Sequence, residues 1–172
     1  DSTFFHTGIP GIINAVYNST DITIVVLDNR TTAMTGNQPH PGTGRTAIGK
    51  EAPVIDIGEI VKACGVGYVK KADPLKLKEA VAVAKEAMEY KGPSVVIFES
   101  PCVQNIKSGA PLYINEKCIS CNKCIRDLGC PAMYLEDGKP RIDSSQCNGC
   151  SLCSQICPVN AIGPVGGDKD EV

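Results

Sequence analysis

The sequence predicts an α/β domain built on a parallel sheet, followed by a small cysteine-rich α+β domain. Over residues 1–100, short apolar runs rich in β-branched residues alternate with segments of helical periodicity, which is the pattern of a parallel sheet covered by helices. Eight of the ten cysteines then fall between Cys118 and Cys157. The second domain is therefore expected to depend on its cysteines.

The first domain is expected to contain three helices and three strands. Ile22 to Leu27 is a continuous apolar run of strand length, as in a buried parallel strand. Asp73 is expected to cap the third helix, with Pro74 at its first position. Its apolar stripe is Leu77, Val81, Ala84 and Met88. The predicted elements are a helix over 8–18, a strand over 22–27, a loop over 28–53, a helix over 57–64, a strand over 68–70, a helix from 73 and a strand over 94–98.

Two cysteine runs dominate the second domain. They read Cys118-x2-Cys121-x2-Cys124-x5-Cys130-Pro131 and Cys147-x2-Cys150-x2-Cys153-x3-Cys157-Pro158. A cubane takes three ligands from one CxxCxxC loop, and in the bacterial pattern the fourth cysteine of each run ligates the other cluster. The expected ligands are Cys118, Cys121, Cys124 and Cys157 for one [4Fe–4S] cluster, and Cys147, Cys150, Cys153 and Cys130 for the other.

Zinc and disulfides are the alternatives for these cysteines. A zinc ribbon supplies two CxxC pairs separated by a longer loop, whereas each run here has a third cysteine. Nothing resembles a signal peptide, and no apolar run is long enough to span a membrane. A cytoplasmic, reducing location is therefore expected. The net charge of −2, with dispersed basic residues, argues against nucleic acid or a membrane as a partner.

The two cysteine runs repeat each other, since Lys117 to Cys124 is echoed by Gln146 to Cys153. This repeat predicts a small pseudo-twofold domain stabilised mainly by its metal. The stretch Tyr113-Ile-Asn-Glu-Lys-Cys-Ile-Ser-Cys resembles the opening of clostridial-type two-cluster ferredoxins, and the resemblance covers 112–165. Five residues separate Cys124 from Cys130, so the turn there should be longer than in that family. Residues expected to exclude water are Ile119, Ile125, Leu152, Ile156 and Ile162.

A second chemical signal lies at the ends of the predicted strands. The chain starts at Asp1 without methionine and reads as a piece of a longer polypeptide, in which Asp1 would follow an upstream strand. Asn29 follows the strand over 22–27, and the carboxyl ends of parallel strands share one edge. Asp1, Asn29 and the Thr31 carbonyl can supply hard oxygen ligands to Mg²⁺, together with two diphosphate oxygens. On spacing alone, a solvated aspartate and a turn asparagine explain the same residues.

Three segments together resemble the C-terminal part of the α subunit of indolepyruvate:ferredoxin oxidoreductases. They are Asp1-Ser-Thr-Phe-Phe-His-Thr-Gly8, the run from Leu27 to Gly42 and the two-cluster segment. The spacing of Asp1 and Asn29 is similar to the thiamin-diphosphate motif, with Ser2 for its second glycine and Asp28 for its first asparagine. The resemblance implies part of a thiamin-diphosphate-binding parallel-sheet domain with a linker over 1–111, a 2[4Fe–4S] ferredoxin-like domain over 112–165 and a tail over 166–172.

The resemblance also implies roles for single residues. Asp1, Asn29 and the Thr31 carbonyl map onto the Mg²⁺ and thiamin-diphosphate motif, and Met34 maps onto a hydrophobic position near the thiazolium. His6 is expected to assist proton transfer. His40 either has a direct role or orders the proline-rich loop around it.

The implied reaction is the oxidative decarboxylation of aryl 2-oxoacids to acyl-coenzyme A, with electrons passing through both clusters to an external ferredoxin. A second subunit is the implied partner, and this chain alone is expected to be inactive. Two other functions stay open. The chain can serve as an electron-transfer subunit of another 2-oxoacid oxidoreductase without thiamin chemistry of its own, or as a zinc-stabilised interaction module.

Overall fold

The computed structural model describes residues 1–106 and 109–164, and it divides the chain into two compact units. Unit 1 is Asp1–Ile106 and unit 2 is Lys107–Val172. The tail predicted over 166–172 lies outside the described residues. Within the part of the chain that the structure describes, each helix is too short or too polar to cross a membrane.

Unit 1 is built on a three-stranded parallel sheet in the order β1–β3–β2. A short π-helix, Phe4–Gly8, leads into the first α-helix, and two 3₁₀ turns, Ala33–Thr35 and Pro41–Thr43, lie in the long loop. The α/β architecture expected from the sequence is confirmed. Its elements are α1 (Ile9–Tyr17), β1 (Thr23–Asp28), α2 (Ile57–Ala63), β2 (Tyr68–Ala72), α3 (Leu77–Glu89) and β3 (Ser94–Glu99).

β3 is the central strand because both of its faces are apolar and covered. Val95, Val96 and Ile97 are fully buried, whereas β1 alternates between buried and exposed positions. α1 and α2 pack on the Val95 and Ile97 face, where Ile12 and Val61 join the core. α3 lies on the Ser94 face, where the Ser94 hydroxyl donates to the Ala87 carbonyl at 2.8 Å. Ser94 thereby satisfies its own buried hydroxyl and anchors the helix.

The third helix differs from the prediction in its start and in its buried face. α3 begins at Leu77 and not at Asp73, because Asp73 closes a separate turn by accepting from the Leu75 amide at 2.8 Å. Val81 and Met88 of the predicted stripe are exposed. The buried positions are instead Ala80 and Ala87. Small residues at this seven-residue spacing allow the helix backbone to approach the sheet closely. Leu77 and Ala84 of the predicted stripe are partly buried, so the prediction was wrong at Val81 and Met88 only.

Unit 2 contains two small antiparallel sheets and two very short helices. β4 pairs with β7, and β5 pairs with β6 through a tight turn at Asp137-Gly138, where both residues have positive φ. Its buried apolar residues are few and include Leu112, Met133 and Ile162. The elements are β4 (Leu112–Ile114), α4 (Lys123–Arg126), β5 (Met133–Glu136), β6 (Lys139–Ile142), α5 (Leu152–Ile156) and β7 (Ile162–Pro164).

The two cysteine runs fold alike, as their repeat predicts. Asn122 and Ser151 precede α4 and α5, and both have left-handed backbone conformations with φ of 56° and 62°. The expected extra turn is present. α5 ends directly before Cys157, whereas Gly129, with φ of 58°, closes an additional turn between α4 and Cys130.

The isoleucines expected to exclude water differ in burial. Ile119 is 63% exposed at the wall of a cavity that Cys118 and Cys121 also line, whereas Ile162 is buried as expected. Cys64 and Cys102, the two cysteines outside the runs, are partly buried.

Candidate cofactor sites

Asp1 lies beside the end of β1. The nitrogen of Asp1 donates to the Leu27 carbonyl at 2.5 Å, which places its carboxylate at the carboxyl edge of the sheet. The chain beyond β3 runs along the same edge, since the Cys102 amide donates to the Asn29 carbonyl at 3.0 Å. Asp1 and Asn29 therefore belong to one rim, as expected from the strand order.

His40 is the side-chain partner of the Asp1 carboxylate. Its Nε2 lies 2.9 Å from Asp1 Oδ2, and the two side chains are only 1% and 5% exposed. The Gly42 amide donates to His40 Nδ1 at 3.2 Å, so Nδ1 is the acceptor and Nε2–H donates to the carboxylate. Burial lowers the pKa of His40, which favours this neutral form.

The His40 ring is held in place from several sides. It packs against the Phe5 ring, with centroids 5.5 Å apart. A methyl group added at Gly42 would lie 3.1 Å from Phe5 and 3.2 Å from His40, so the backbone approaches both rings closely there. The second Asp1 oxygen accepts from the Ser2 amide at 2.7 Å. The carboxylate is thus fixed in orientation, while each of its oxygens retains a further lone pair for a cation.

Asn29 and Thr31 form a tight turn directly after β1. Asn29 Oδ1 accepts from the Thr31 amide at 3.1 Å, and Thr31 is buried. The turn is reinforced by a buried Asp28 carboxylate, which pairs with Arg30 at 3.3 Å. Amide and carbonyl oxygens at a strand end, next to a carboxylate, are the donor types that Mg²⁺ binds. The donor set of this rim fits a Mg²⁺-bound diphosphate.

His6 and Met34 are placed less tightly than these residues. His6 is exposed on the π-helix, and Met34 is 99% exposed in the loop after β1. The structure brings neither side chain into the group formed by Asp1 and His40. Their roles in proton transfer and in contacting the thiazolium stay predictions.

Sequence reasoning undervalued His40, because a histidine between two prolines reads as an ordinary loop residue. A signal was nevertheless present. Pro39 and Pro41 restrict the backbone on both sides of His40, and a restricted backbone aims its side chain in one direction. His40 is also the N-cap of the 3₁₀ turn Pro41–Thr43.

The eight clustered cysteines surround two separate cavities in unit 2. The structure groups them in the crossed combination that the spacing predicts, with the fourth cysteine of each run on the other set. One cavity, of about 20 Å³, is lined by Cys118, Cys121, Cys124 and Cys157. The other, of about 290 Å³, is lined by Cys130, Cys147, Cys150 and Cys153. We call these the first set and the second set.

Backbone N–H groups already point at the cysteine sulfurs. The Ser120 amide donates to Cys118 Sγ at 3.4 Å, the Ala161 amide to Cys157 Sγ at 3.2 Å and the Leu112 amide to Cys147 Sγ at 3.4 Å. Among the described residues, no three His, Cys, Asp or Glu side chains converge closely enough to hold one metal ion. Four thiols around a space, with amides directed at sulfur, fit an iron–sulfur cubane.

Burial disfavours the thiolate form of the inner cysteines. It raises the pKa of Cys153 to about 11, with the nearby Cys150 adding to the shift, and it also raises the pKa of Cys124. Without iron these groups are neutral thiols at pH 7. Ligation therefore releases protons, so cluster assembly depends on pH.

Two family models match the chain. The C-terminal TPP binding domain of thiamine pyrophosphate enzymes matches residues 1–98, and a 4Fe-4S dicluster domain matches residues 110–162. These two ranges contain the rim of Asp1 and Asn29 and both cysteine sets, respectively.

Similar proteins agree with both matches. Indolepyruvate oxidoreductase subunit IorA of Methanothermobacter thermautotrophicus is 51% identical over 96% of this chain and 27% of its own length, and that of Archaeoglobus fulgidus is 42% identical over 95% and 27%. Pyruvate synthase subunit PorD of Methanocaldococcus jannaschii is 40% identical over 34% of this chain and 70% of its own length.

The chain spans about a quarter of the length of the IorA relatives that it matches. Its sheet rim carries the Asp1 carboxylate and the Asn29 amide, and its cysteines line two cavities. With the thiamine pyrophosphate model covering residues 1–98 of 172, the chain belongs to the thiamine pyrophosphate enzyme family, through the C-terminal TPP-binding domain, and carries a 4Fe-4S dicluster domain behind it.

Proposed function

We propose that this chain is the cofactor-binding and electron-relay part of a 2-oxoacid:ferredoxin oxidoreductase that oxidises indolepyruvate-type aryl 2-oxoacids to acyl-coenzyme A. The observation that carries the proposal is the presence, in one chain, of a carboxylate–amide rim after β1 and two four-cysteine cavities. The aryl substrate class is supported by the 51% identity to an indolepyruvate oxidoreductase subunit.

Asp1, Asn29 and the Thr31 carbonyl would bind Mg²⁺ and, through it, the diphosphate. His40 holds the Asp1 carboxylate in one orientation, and its lowered pKa favours the neutral form, which places no second positive charge beside the cation. Thiamin diphosphate, when bound, supplies the electron sink for decarboxylation. The two electrons released per 2-oxoacid match two clusters that each accept one.

The cysteine sets would hold these clusters and pass the electrons to an external ferredoxin. A second subunit of the oxidoreductase is a further expected partner, since the IorA relatives are named as subunits. The eight thiolates divide between the clusters in the crossed arrangement, with Cys157 on the first set and Cys130 on the second.

An electron-transfer role without thiamin chemistry is the second candidate. The observation in its favour is the similarity of 62 residues of this chain to pyruvate synthase subunit PorD. That similarity covers 34% of the chain, which is too little to include the rim after β1 as well as the dicluster domain. The two candidates differ in one property, namely whether the chain binds thiamin diphosphate.

Anaerobic quantitation of iron, sulfide and thiamin diphosphate on the intact oxidoreductase tests the proposal. We expect about eight iron per chain and bound thiamin diphosphate, with the cluster absorption bleached on addition of indolepyruvate. Asp1→Asn should weaken Mg²⁺-dependent thiamin-diphosphate binding at least about tenfold and leave the iron content unchanged. Asp21→Asn, a change at an exposed aspartate, is the matched control. Full iron with no thiamin diphosphate would select the electron-transfer role.

Paired serine substitutions test the crossed ligation. Cys124→Ser with Cys157→Ser should remove one cluster and leave about four iron per chain, because both residues belong to the first set. Cys153→Ser with Cys157→Ser should remove both clusters, although these two cysteines lie in the same run. Iron analysis with electron paramagnetic resonance measures the outcome, and the reverse result would assign each run to its own cluster.

A further inference from the structure

The two cysteine sets differ most clearly at one pair of equivalent residues. Asn122 and Ser151 each follow the second cysteine of a run and precede a short helix, with φ of 56° and 62°. The Ser151 hydroxyl has a partner, since it lies 3.4 Å from the Gly149 carbonyl. Asn122 Oδ1 is buried and has no hydrogen-bond partner among the described residues. A buried polar atom of this kind needs a hydrogen-bond partner, which a bound ligand can supply.

The surroundings of Asn122 identify that partner. Asn122 lines the cavity of the first set, together with the four cysteines of that set. The oxygen and nitrogen of an amide are related by a 180° rotation, and the hydrogen-bond network decides which one faces a given neighbour. Cluster and cysteine sulfurs accept hydrogen bonds and donate none. Next to a cluster, the amide therefore presents its Nδ2–H₂ group to sulfur.

The preference of asparagine for left-handed backbone is the simpler explanation of this residue. Asparagine tolerates positive φ better than most residues, and Ser151 shows that the repeat needs positive φ here. Backbone preference explains the residue type. It does not explain an amide that is buried in the wall of a sulfur-lined cavity when the equivalent serine turns to its own backbone.

Solvent exposure and net charge also differ between the two cysteine sets, and both are greater at the first set. Cys121 is exposed, whereas its equivalent Cys150 is partly buried. The Gly109 amide donates to the Asn148 carbonyl at 2.9 Å, so this segment covers the second loop. In the first run, residues 116–127 carry Lys117, Lys123 and Arg126 against Glu116 and Asp127, a net charge of +1, whereas residues 144–160 contain no charged side chain.

Solvent, positive charge and hydrogen bonds to sulfur all stabilise the reduced, more negative state of a cluster. We propose that the Asn122 amide donates a hydrogen bond to the first cluster, and that this cluster is the higher-potential one and the terminal electron acceptor within the chain. The proposal rests on the proposed function for the presence of both clusters. One electron moves from the reduced second cluster to the oxidised first cluster, and no bond is made or broken.

Asn122→Gly is the direct test, because glycine retains the left-handed backbone and removes only the amide. Redox titration of the iron-loaded chain by electron paramagnetic resonance should resolve two one-electron steps. Asn122→Gly should lower the higher-potential step by about 59 mV, which is a tenfold change in its equilibrium constant. Ser151→Gly, the matched change in the second run, should leave that step in place.

Asn122→Asp provides a second measurement that preserves the side-chain shape. It replaces the donor by a negative acceptor and should lower the same step at least as far. Unchanged potentials in both variants, or a shift confined to the lower-potential step, would overturn the inference. Iron content separates this failure from that of the proposed function, because a wild-type chain without about eight iron contradicts the proposed function instead.

Discussion

Unit 1 and unit 2 of this chain are stabilised by different means. Unit 1 has a continuous apolar core in which Val61, Val95 and Ile97 are fully buried beneath helices. Unit 2 has short strands and helices, and five of the thirteen residues in its described core cluster are cysteines. A small domain with so little apolar core needs cross-links or metal for stability. The difference teaches that one unit folds around side chains and the other around its cofactors.

Iron removal should separate the two units most strongly. Anaerobic chelation is expected to unfold residues 109–164, because ligation supplies the free energy that the small core lacks. Unit 1 should remain folded. Amide hydrogen exchange on the whole chain measures both units at once. Retained protection at β4 and β7 after chelation would show that unit 2 is stable without its clusters.

A substitution in the core of unit 1 should destabilise unit 1 and leave the iron content of unit 2 unchanged. Ile97→Ala removes a fully buried side chain of the central strand and should lower the free energy of unfolding of unit 1 by about 2–5 kcal/mol. Iron content should stay at about eight per chain. Val25→Ala, on the exposed side of β1, is the control and should cost less than about 0.5 kcal/mol. Denaturant titration followed by circular dichroism, with iron analysis, checks the result. Loss of iron in Ile97→Ala would mean that the units are coupled.

Removal of a surface charge pair should change the free energy of unfolding least, and the size of the change should depend on pH. Asp56 caps α2 by accepting from the Glu59 amide at 2.9 Å and pairs with Lys71 at 2.7 Å. The hydrogen bond from Lys71 holds the pKa of Asp56 below its ordinary value of 3.8. A carboxyl with a lowered folded pKa stabilises the protein above pH 3.8, and this contribution is lost as the pH falls through the folded value.

Asp56→Asn retains a good N-cap and removes only the charge. It should cost up to about 0.5 kcal/mol between pH 5 and 7, since both partners are well exposed, and progressively less at a second pH value well below 3.8. Amide exchange of α2 at the two pH values measures the difference. A cost that is equal at both pH values would assign the effect to the cap geometry instead of the charge.

The sequence predicted well those features that depend on local patterns. The strands near 22–27 and 94–98 and the repeated cysteine loops follow directly from apolar runs and spacing, and the structure contains them. Features that depend on tertiary contacts were less predictable. Ala80 and Ala87 are buried only because the sheet lies beneath them, and Asp73 caps a turn that competes locally with the helix start.

The candidate cofactor sites show the same difference between local patterns and tertiary contacts. The crossed grouping of the cysteines was predictable because spacing limits which thiols one short loop can present. The pairing of His40 with Asp1 was not, since 39 residues separate them and the long loop between β1 and α2 has no periodic pattern. Its path depends on the rim that it folds back onto.

The exposed side of β1 affects how this chain behaves in concentrated solution. Among the described residues, β1 has a strand neighbour on one side only, and Val25 and Leu27 are exposed along it. An apolar edge of this kind is a template onto which any extended segment can add as a further strand. Val25→Lys would place a charge on this strand and should oppose such an addition.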